Sequence, residues 1–241
     1  AEMYLGHTLT WNGRFAEAIQ VLEGSVPKLR SLGYRYGVMY ATFSLGLATM
    51  FNGDYNRSEP ITQAGFQEAE LGHFQREAAG LLAARGMSTL ARGQTAQSIE
   101  LFTESARRYR LMQFMGELGW AKAGLALAQE MSRQPEAALE SLLEALHIAE
   151  KNHSMAAILT CMPAMVRLLF NRGHHEIALL VYRIQLLQKI HKNSRWYADV
   201  IGNEMNTHWE ALPPEQRAEI DACASQHTPF SIIPEVLALL E

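Results

Sequence analysis

Apolar residues recur at helical spacing along almost the whole chain, as in Ile99, Leu101, Phe102 and Ala106, or Ala138, Leu139, Leu142, Leu143 and Leu146. Positions three and four apart share one face of a helix, so each stretch predicts an amphipathic helix with one buried stripe. No stretch alternates with the two-residue period of a strand. The helical pattern is interrupted at regular points, and the interruptions carry a longer period of their own. Gly13, Gly53, Gly93 and Gly173 stand 40, 40 and 80 residues apart, with Arg133 at the vacant step. Five positions after these stand Ala18, Ser58, Ser98, Ala138 and Ala178, all small. Seven before stand Gly6, Gly46, Gly86, Ala126 and Val166, and nine after stand Leu22, Thr62, Phe102, Leu142 and Tyr182. Columns of small residues facing a column of bulkier ones are what two closely packed helices of a repeating hairpin require.

Each unit therefore reads as helix, glycine-centred turn, helix, because glycine meets the left-handed backbone of a helix C-terminus without a Cβ clash. A second breaker closes each unit about twenty residues later, at Leu32-Gly33, Leu71-Gly72, Met112-Gln113, Asn152-His153 and Lys192-Asn193. The expected helices are 2–12, 15–31, 35–52, 55–71, 74–92, 95–110, 115–132, 135–151, 154–172 and 175–191. A lone hairpin cannot cover its own apolar faces, so five units stack into an all-α, right-handed solenoid over residues 1–193. Residues 194–241 continue as a degenerate sixth hairpin, with helices expected from Ser194 to Trp209 and from Pro213-Pro214 to Ser225. A short capping helix begins at Pro234. The opening Ala1-Glu2-Met3-Tyr4 is already in helical pattern, as in a piece of a longer polypeptide.

Leu5-Gly6, Leu45-Gly46, Gly13 with Phe15 and Ala18, Gly53 with Tyr55 and Ser58, and Ser98 with Phe102 together resemble the tetratricopeptide repeat (TPR). That repeat carries a leucine and a small residue in its first helix, a Gly-aromatic turn, then a small residue and an aromatic or leucine in its second. The likeness spans residues 1–193 and departs from the usual unit of about 34 residues in having longer helices and no closing proline. Units of this length look like the repeat regions of large bacterial regulators, in which a signalling ATPase or LuxR-type DNA-binding module is joined to a helical-repeat arm. The resemblance implies a cytoplasmic, non-catalytic protein-interaction scaffold. It also implies a concave face lined by the first helix of every unit.

Composition narrows the partners. With 21 Lys and Arg against 25 Asp and Glu, the formal charge is −4, which gives no electrostatic footprint for a nucleic-acid backbone or an anionic membrane. There is no apolar run long enough to span a bilayer. Cys161 and Cys223 lie far apart inside expected helices and read as buried free thiols rather than a metal site or disulfide. No phosphate loop, nucleophile elbow, HExxH or dinucleotide fingerprint occurs, so neither catalysis nor a cofactor is expected. His174-His175-Glu176 reads as a solvated turn, since adjacent residues of a helix point in different directions.

The repeat register maps candidate ligand-facing positions. Unit one offers Met3, His7 and Trp11, and unit two Tyr40, Phe43, Leu47, Met50 and Phe51. Unit three offers Met87 and Leu90, unit four Trp120, Leu127, Glu130 and Met131, and unit five Arg167, Phe170 and Asn171. A surface rich in aromatic rings and thioethers suits an apolar peptide or amphipathic helix, from another protein or another domain of the same parent chain. Three alternatives stay open. The same residues at helical spacing suit a core; the C-terminal helices would fill the curve if they folded back; and a compact pocket, with Arg167, Glu130 or His7 supplying polar orientation, would suit a small-molecule sensor. An unstacked apolar end also allows a homo-oligomer.

Overall fold

The computed structural model describes residues 1–240, which form helices and turns without strands. Ten helices make the repeating part: α1 (Glu2–Trp11), α2 (Phe15–Ser31), α3 (Arg35–Phe51), α4 (Tyr55–Leu71), α5 (Gln75–Ala91), α6 (Thr95–Leu111), α7 (Met115–Met131), α8 (Pro135–Lys151), α9 (Met155–Asn171) and α10 (His175–Leu186). From α2 to α9 every helix has 17 residues. Three-residue turns join them, so the structural step is half the 40-residue unit. Each helix packs on its sequence neighbours, and α1, α3, α5, α7 and α9 also pack on one another, which places them on the inner face of a solenoid. No helix among the described residues is long and apolar enough to cross a membrane.

One turn geometry repeats nine times. Gly13, Gly33, Gly53, His73, Gly93, Gln113, Arg133, His153 and Gly173 all have positive φ. The amide of each reaches back three residues, and the amide after it reaches back five, as in Gly13 to the Thr10 carbonyl at 3.0 Å and Arg14 to the Leu9 carbonyl at 2.9 Å. This pair of bonds satisfies the last carbonyls of the helix and reverses the chain within three residues. The breaker expected at Leu71-Gly72 falls one residue later: Gly72 has a φ of −91° and His73 takes the left-handed position.

The small and bulky columns meet inside each hairpin. A Cβ on Gly6 would stand 2.4 Å from Leu22 Cγ, one on Gly46 2.3 Å from Thr62 Cγ2, and one on Gly86 3.0 Å from the Phe102 ring. Ser58 and Ser98 fasten the same crossings, donating to the carbonyls of Gly46 at 2.9 Å and Gly86 at 2.8 Å. Backbones this close leave no room for water, so the hydroxyls satisfy themselves within the hairpin.

The regular array stops earlier than the sequence pattern indicated. Instead of running to residue 191, α10 ends at Leu186, and Gln188 is extended. A short α11 (Lys189–Asn193) follows, then one interrupted helix made of α12 (Arg195–Tyr197), a π-helical turn (Ala198–Gly202) and α13 (Asn203–Glu210). In place of an evenly stacked sixth unit, α11 reaches α1, α12 reaches α3 and the π turn reaches α5, so the chain re-enters its own curve. Helix α14 (Pro214–Ala224) packs on α10, and α15 (Ile233–Leu240) lies against α8 and α9. Cys161 is buried as expected, whereas Cys223 is only partly so.

Candidate functional site

The concave face divides into a filled half and an open cleft. The filled half is built by residues 189–202. Asn193 donates to the Gly13 carbonyl at 3.3 Å, Ser194 to the Phe51 carbonyl at 3.1 Å, and the Trp196 indole to the Met87 carbonyl at 2.8 Å. Tyr197 stacks on Phe51 with centroids 5.8 Å apart and planes 11° apart. Tyr55, the aromatic of the unit-two turn, donates to Asp199 at 2.8 Å, and Asp199 also pairs with Arg195. Two turn glycines serve as seats: a Cβ on Gly13 would stand 2.4 Å from the Lys189 carbonyl oxygen, and one on Gly53 2.5 Å from Arg195 Cγ.

The expected open trough across units two and three is therefore replaced by core. Leu47, Met50, Phe51 and Met87 are buried in one continuous cluster with Trp196 and Tyr197. The physical reason is that a large aromatic pair removes much apolar surface from water there, while the Trp196 indole nitrogen finds a backbone partner. Met3, Leu90 and Leu127 are buried as well, and Met131 is partly so. Units four and five are likewise engaged by their own chain. Glu130 accepts from Asn171, Arg167 pairs with Glu204 of α13, and Phe170 lies between His175 and His208, with centroids 4.4 and 4.3 Å away.

What stays open is a cleft of about 290 Å³ across the inner helices of units one to five. It brings together five of the expected residues, His7, Trp11, Tyr40, Phe43 and Trp120, the last of them buried in the core with only an edge on the cleft. Phe43 meets Trp120 edge to face, centroids 6.0 Å apart, and Tyr40 lies 5.1 Å from the His7 ring. His7 Nδ1 is 3.1 Å from the Ser44 hydroxyl, and burial lowers the imidazole's pKa, so the ring is neutral at pH 7. Burial raises the Tyr40 phenol.

Eight further residues line the cleft, among them Arg76, Glu77, Gly80, Tyr109 and Glu117. The repeat register reaches one of them. Tyr40 and Trp120 are 80 residues apart, and the intervening step of that column falls on Gly80. Without a side chain at that step, Tyr109 and Phe43 close on the α5 backbone at the bottom of the cleft. A Cβ on Gly80 would stand 3.0 Å from the Tyr109 hydroxyl and 3.2 Å from Phe43 Cε2. Arg76 and Glu77 lie one turn before Gly80 on α5, where three- and four-residue spacing puts them on the same face. Arg76 is committed to Glu117, with one bond at 3.0 Å, and its guanidinium sits 4.8 Å over the Phe114 ring. Among the described residues Glu77 forms no ion pair or side-chain hydrogen bond, and it is half-buried.

No protein-family model matches the chain, and no curated protein sequence does. Solved structures do match in fold. A kinesin light chain-like protein of nearly identical TPR-like repeats from Podosopora anserina superposes with a TM-score of 0.53 at 16% identity, covering 80% of this chain and 95% of that one. A single-residue variant of the same protein gives 0.54, also at 16% identity, over 78% and 92%. BtubC (BKLC) from P. vanneervenii gives 0.52 at 12% identity, over 83% and 94%. Together with nine like turns and glycine-to-bulky crossings in three hairpins, these likenesses show that the chain has a TPR-like helical-repeat fold, an all-α solenoid.

Proposed function

We propose that the chain is a non-catalytic protein-interaction scaffold, the regulatory arm of a larger bacterial, cytoplasmic signalling or transcription-regulatory protein. It holds an apolar segment of a partner peptide or helix, from another protein or another domain of the same polypeptide, in the aromatic cleft. The observation that carries this reading is the contrast on one face. The chain's own segment fills the curve over Phe51 and Met87, whereas Trp11, Tyr40 and Phe43 remain part-exposed around a cavity. Contiguous rings left open in this way are the usual anchors of a recognition surface. The TPR-like fold, a kind used for protein interaction, supports the same reading.

A small-molecule sensor is the second reading, favoured by the compactness of the cleft and by the approach of His7 and Arg76 to it. Titration of the purified chain with an apolar peptide library and a metabolite panel, followed by tryptophan fluorescence, separates the two. Saturable peptide binding that Tyr40→Ala and Trp11→Ala weaken, with helicity unchanged, supports the scaffold. Metabolite binding alone, weakened by the same substitutions, transfers the function to the sensor.

A further inference from the structure

The charge and ring geometry of the cleft select one kind of occupant. From the cleft we infer that the partner segment inserts a cation carried on an alkyl chain, a lysine or arginine side chain, against the part-exposed rings of Tyr40 and Phe43 in the cleft that Glu77 also lines. The inference rests on the peptide reading above and adds the chemistry of the inserted group.

Three observations lead to it. First, no cation stands over Trp11, Tyr40, Phe43 or Trp120 among the described residues, and the guanidinium in the cleft lining, that of Arg76, is placed over Phe114 instead. The faces of these rings carry the negative part of the aromatic quadrupole and attract cations most strongly where water is excluded. Second, the lining holds one cation, Arg76, against two carboxylates, Glu77 and Glu117, and burial keeps His7 neutral. Third, Arg76 is already satisfied by Glu117, which leaves Glu77 as the unpaired charge.

An inserted neutral side chain would strip water from Glu77 and give it no partner, and an anion would add repulsion from both carboxylates. A lysine ammonium or arginine guanidinium neutralises Glu77 while its methylene stem covers the rings. At Gly80 the missing side chain lets Tyr109 and Phe43 close on the α5 backbone, and these three form the floor of the cleft.

Three capped pentapeptides, Ala-Phe-X-Phe-Ala with X as lysine, norleucine or glutamate, test the inference by calorimetric titration against the full chain and its Glu77→Gln variant, with butylammonium as a free-cation probe. The lysine peptide should bind about tenfold more tightly than the norleucine peptide, and the glutamate peptide most weakly. Glu77→Gln, a half-buried position without partners, should erase the lysine preference and leave the melting temperature unchanged. Equal binding of the lysine and norleucine peptides, or a preference that survives Glu77→Gln, overturns the inference while leaving a peptide scaffold standing. Butylammonium binding that depends on Glu77, without binding of any peptide, upholds the cation chemistry and removes the peptide. Binding of no probe overturns both.

Discussion

The indole nitrogen of Trp196 donates to the carbonyl of Met87 at 2.8 Å across 109 residues of chain. That carbonyl lies inside α5, so its second lone pair receives the indole while the helix is intact. Trp196 is also 1% exposed and packed edge to face against Phe51 and Tyr197. It joins the C-terminal segment to the core of units two and three.

Trp196→Ala should therefore cost about 3–5 kcal/mol, through the cavity and the lost transfer energy together. Trp196→Phe keeps most of the apolar surface and loses the hydrogen bond, so a smaller loss of about 1–2 kcal/mol is expected. Urea unfolding followed by circular dichroism measures both. An alanine variant as stable as the parent would show that the segment is only loosely seated in the curve.

Tyr55 and Asp199 supply a second tie, and its strength is separable from packing. Tyr55→Phe removes one hydroxyl and leaves the ring, and Asp199→Asn keeps the shape while removing the charge. Each should destabilise by about 1 kcal/mol, and the double variant by clearly less than the sum, because the first removes the 2.8 Å bond and the second weakens it, a neutral amide oxygen accepting less strongly than a carboxylate. A double-mutant cycle in urea reads the coupling. Strict additivity would mean that the hydroxyl finds an equivalent partner elsewhere.

The turns make an internally controlled experiment. Arg133 holds a left-handed φ of 59° that glycine occupies at five equivalent turns, so Arg133→Gly should stabilise by about 0.5–1 kcal/mol. Gly93→Ala should do the reverse by about 1 kcal/mol, for conformational reasons alone, since its Cβ would meet nothing within 4 Å. Opposite shifts in melting temperature are expected. A shift of the same sign for both would refute the equivalence of the turns.

Glycines inside helices sort by what faces them. Gly24, mid-helix in α2, has open space where a Cβ would go, so Gly24→Ala should stabilise by about 0.5–1 kcal/mol. Gly124 faces the Phe102 ring, with Cε1 2.3 Å from its would-be Cβ, and the other side of the hairpin presses Gly86 on the same ring. Gly124→Ala should cost about 1–3 kcal/mol by overpacking. Chemical denaturation of the two variants decides whether the close approach of α7 to the Phe102 ring is a packing requirement.

These comparisons also mark how far the sequence could be read. The period placed the bounds of α1 to α9 within a residue, because every turn needs a left-handed residue and glycine or a polar residue marks it. The inward placement of Trp11, Tyr40 and Phe43 was legible for the same reason, since the register fixes which face of each first helix points inward, whereas the burial of Trp120 was not. The return of residues 189–202 into the curve was not legible. Nothing local in Ser194-Arg195-Trp196-Tyr197 distinguishes a helix stacked on the array from one inserted in it. The choice is made by distant partners, the Phe51 and Met87 carbonyls and the vacant Cβ positions of Gly13 and Gly53. Gly80 carries no apolar side chain to mark it as part of the Tyr40 and Trp120 column, so its place in the cleft shows only in three dimensions.

His191 gives the pH dependence. Its ring is buried between the Leu159 carbonyl, 3.0 Å from Nε2, and the Gln185 carbonyl, 3.1 Å from Nδ1, and Tyr197 meets it edge-on at 4.0 Å. Burial lowers its pKa to about 3 from the usual 6.5, against the two carbonyls, which act in the opposite direction. With the folded pKa depressed, the unfolded chain takes up a proton first as the pH falls. This residue therefore adds nothing to the pH dependence above about pH 7 and subtracts stability between 6.5 and about 3. The slope from this one group approaches about 1.4 kcal/mol per pH unit in the middle of that window. Below about pH 3 the loss levels off, because the folded form is then protonated too. His191→Gln removes the titration and keeps a polar side chain, so its unfolding free energy should fall less steeply between pH 6.5 and 4 than the parent's, even if it starts lower at pH 7.5. Parallel curves for the two proteins would mean that the imidazole donates to both carbonyls as a cation and stays charged in the fold.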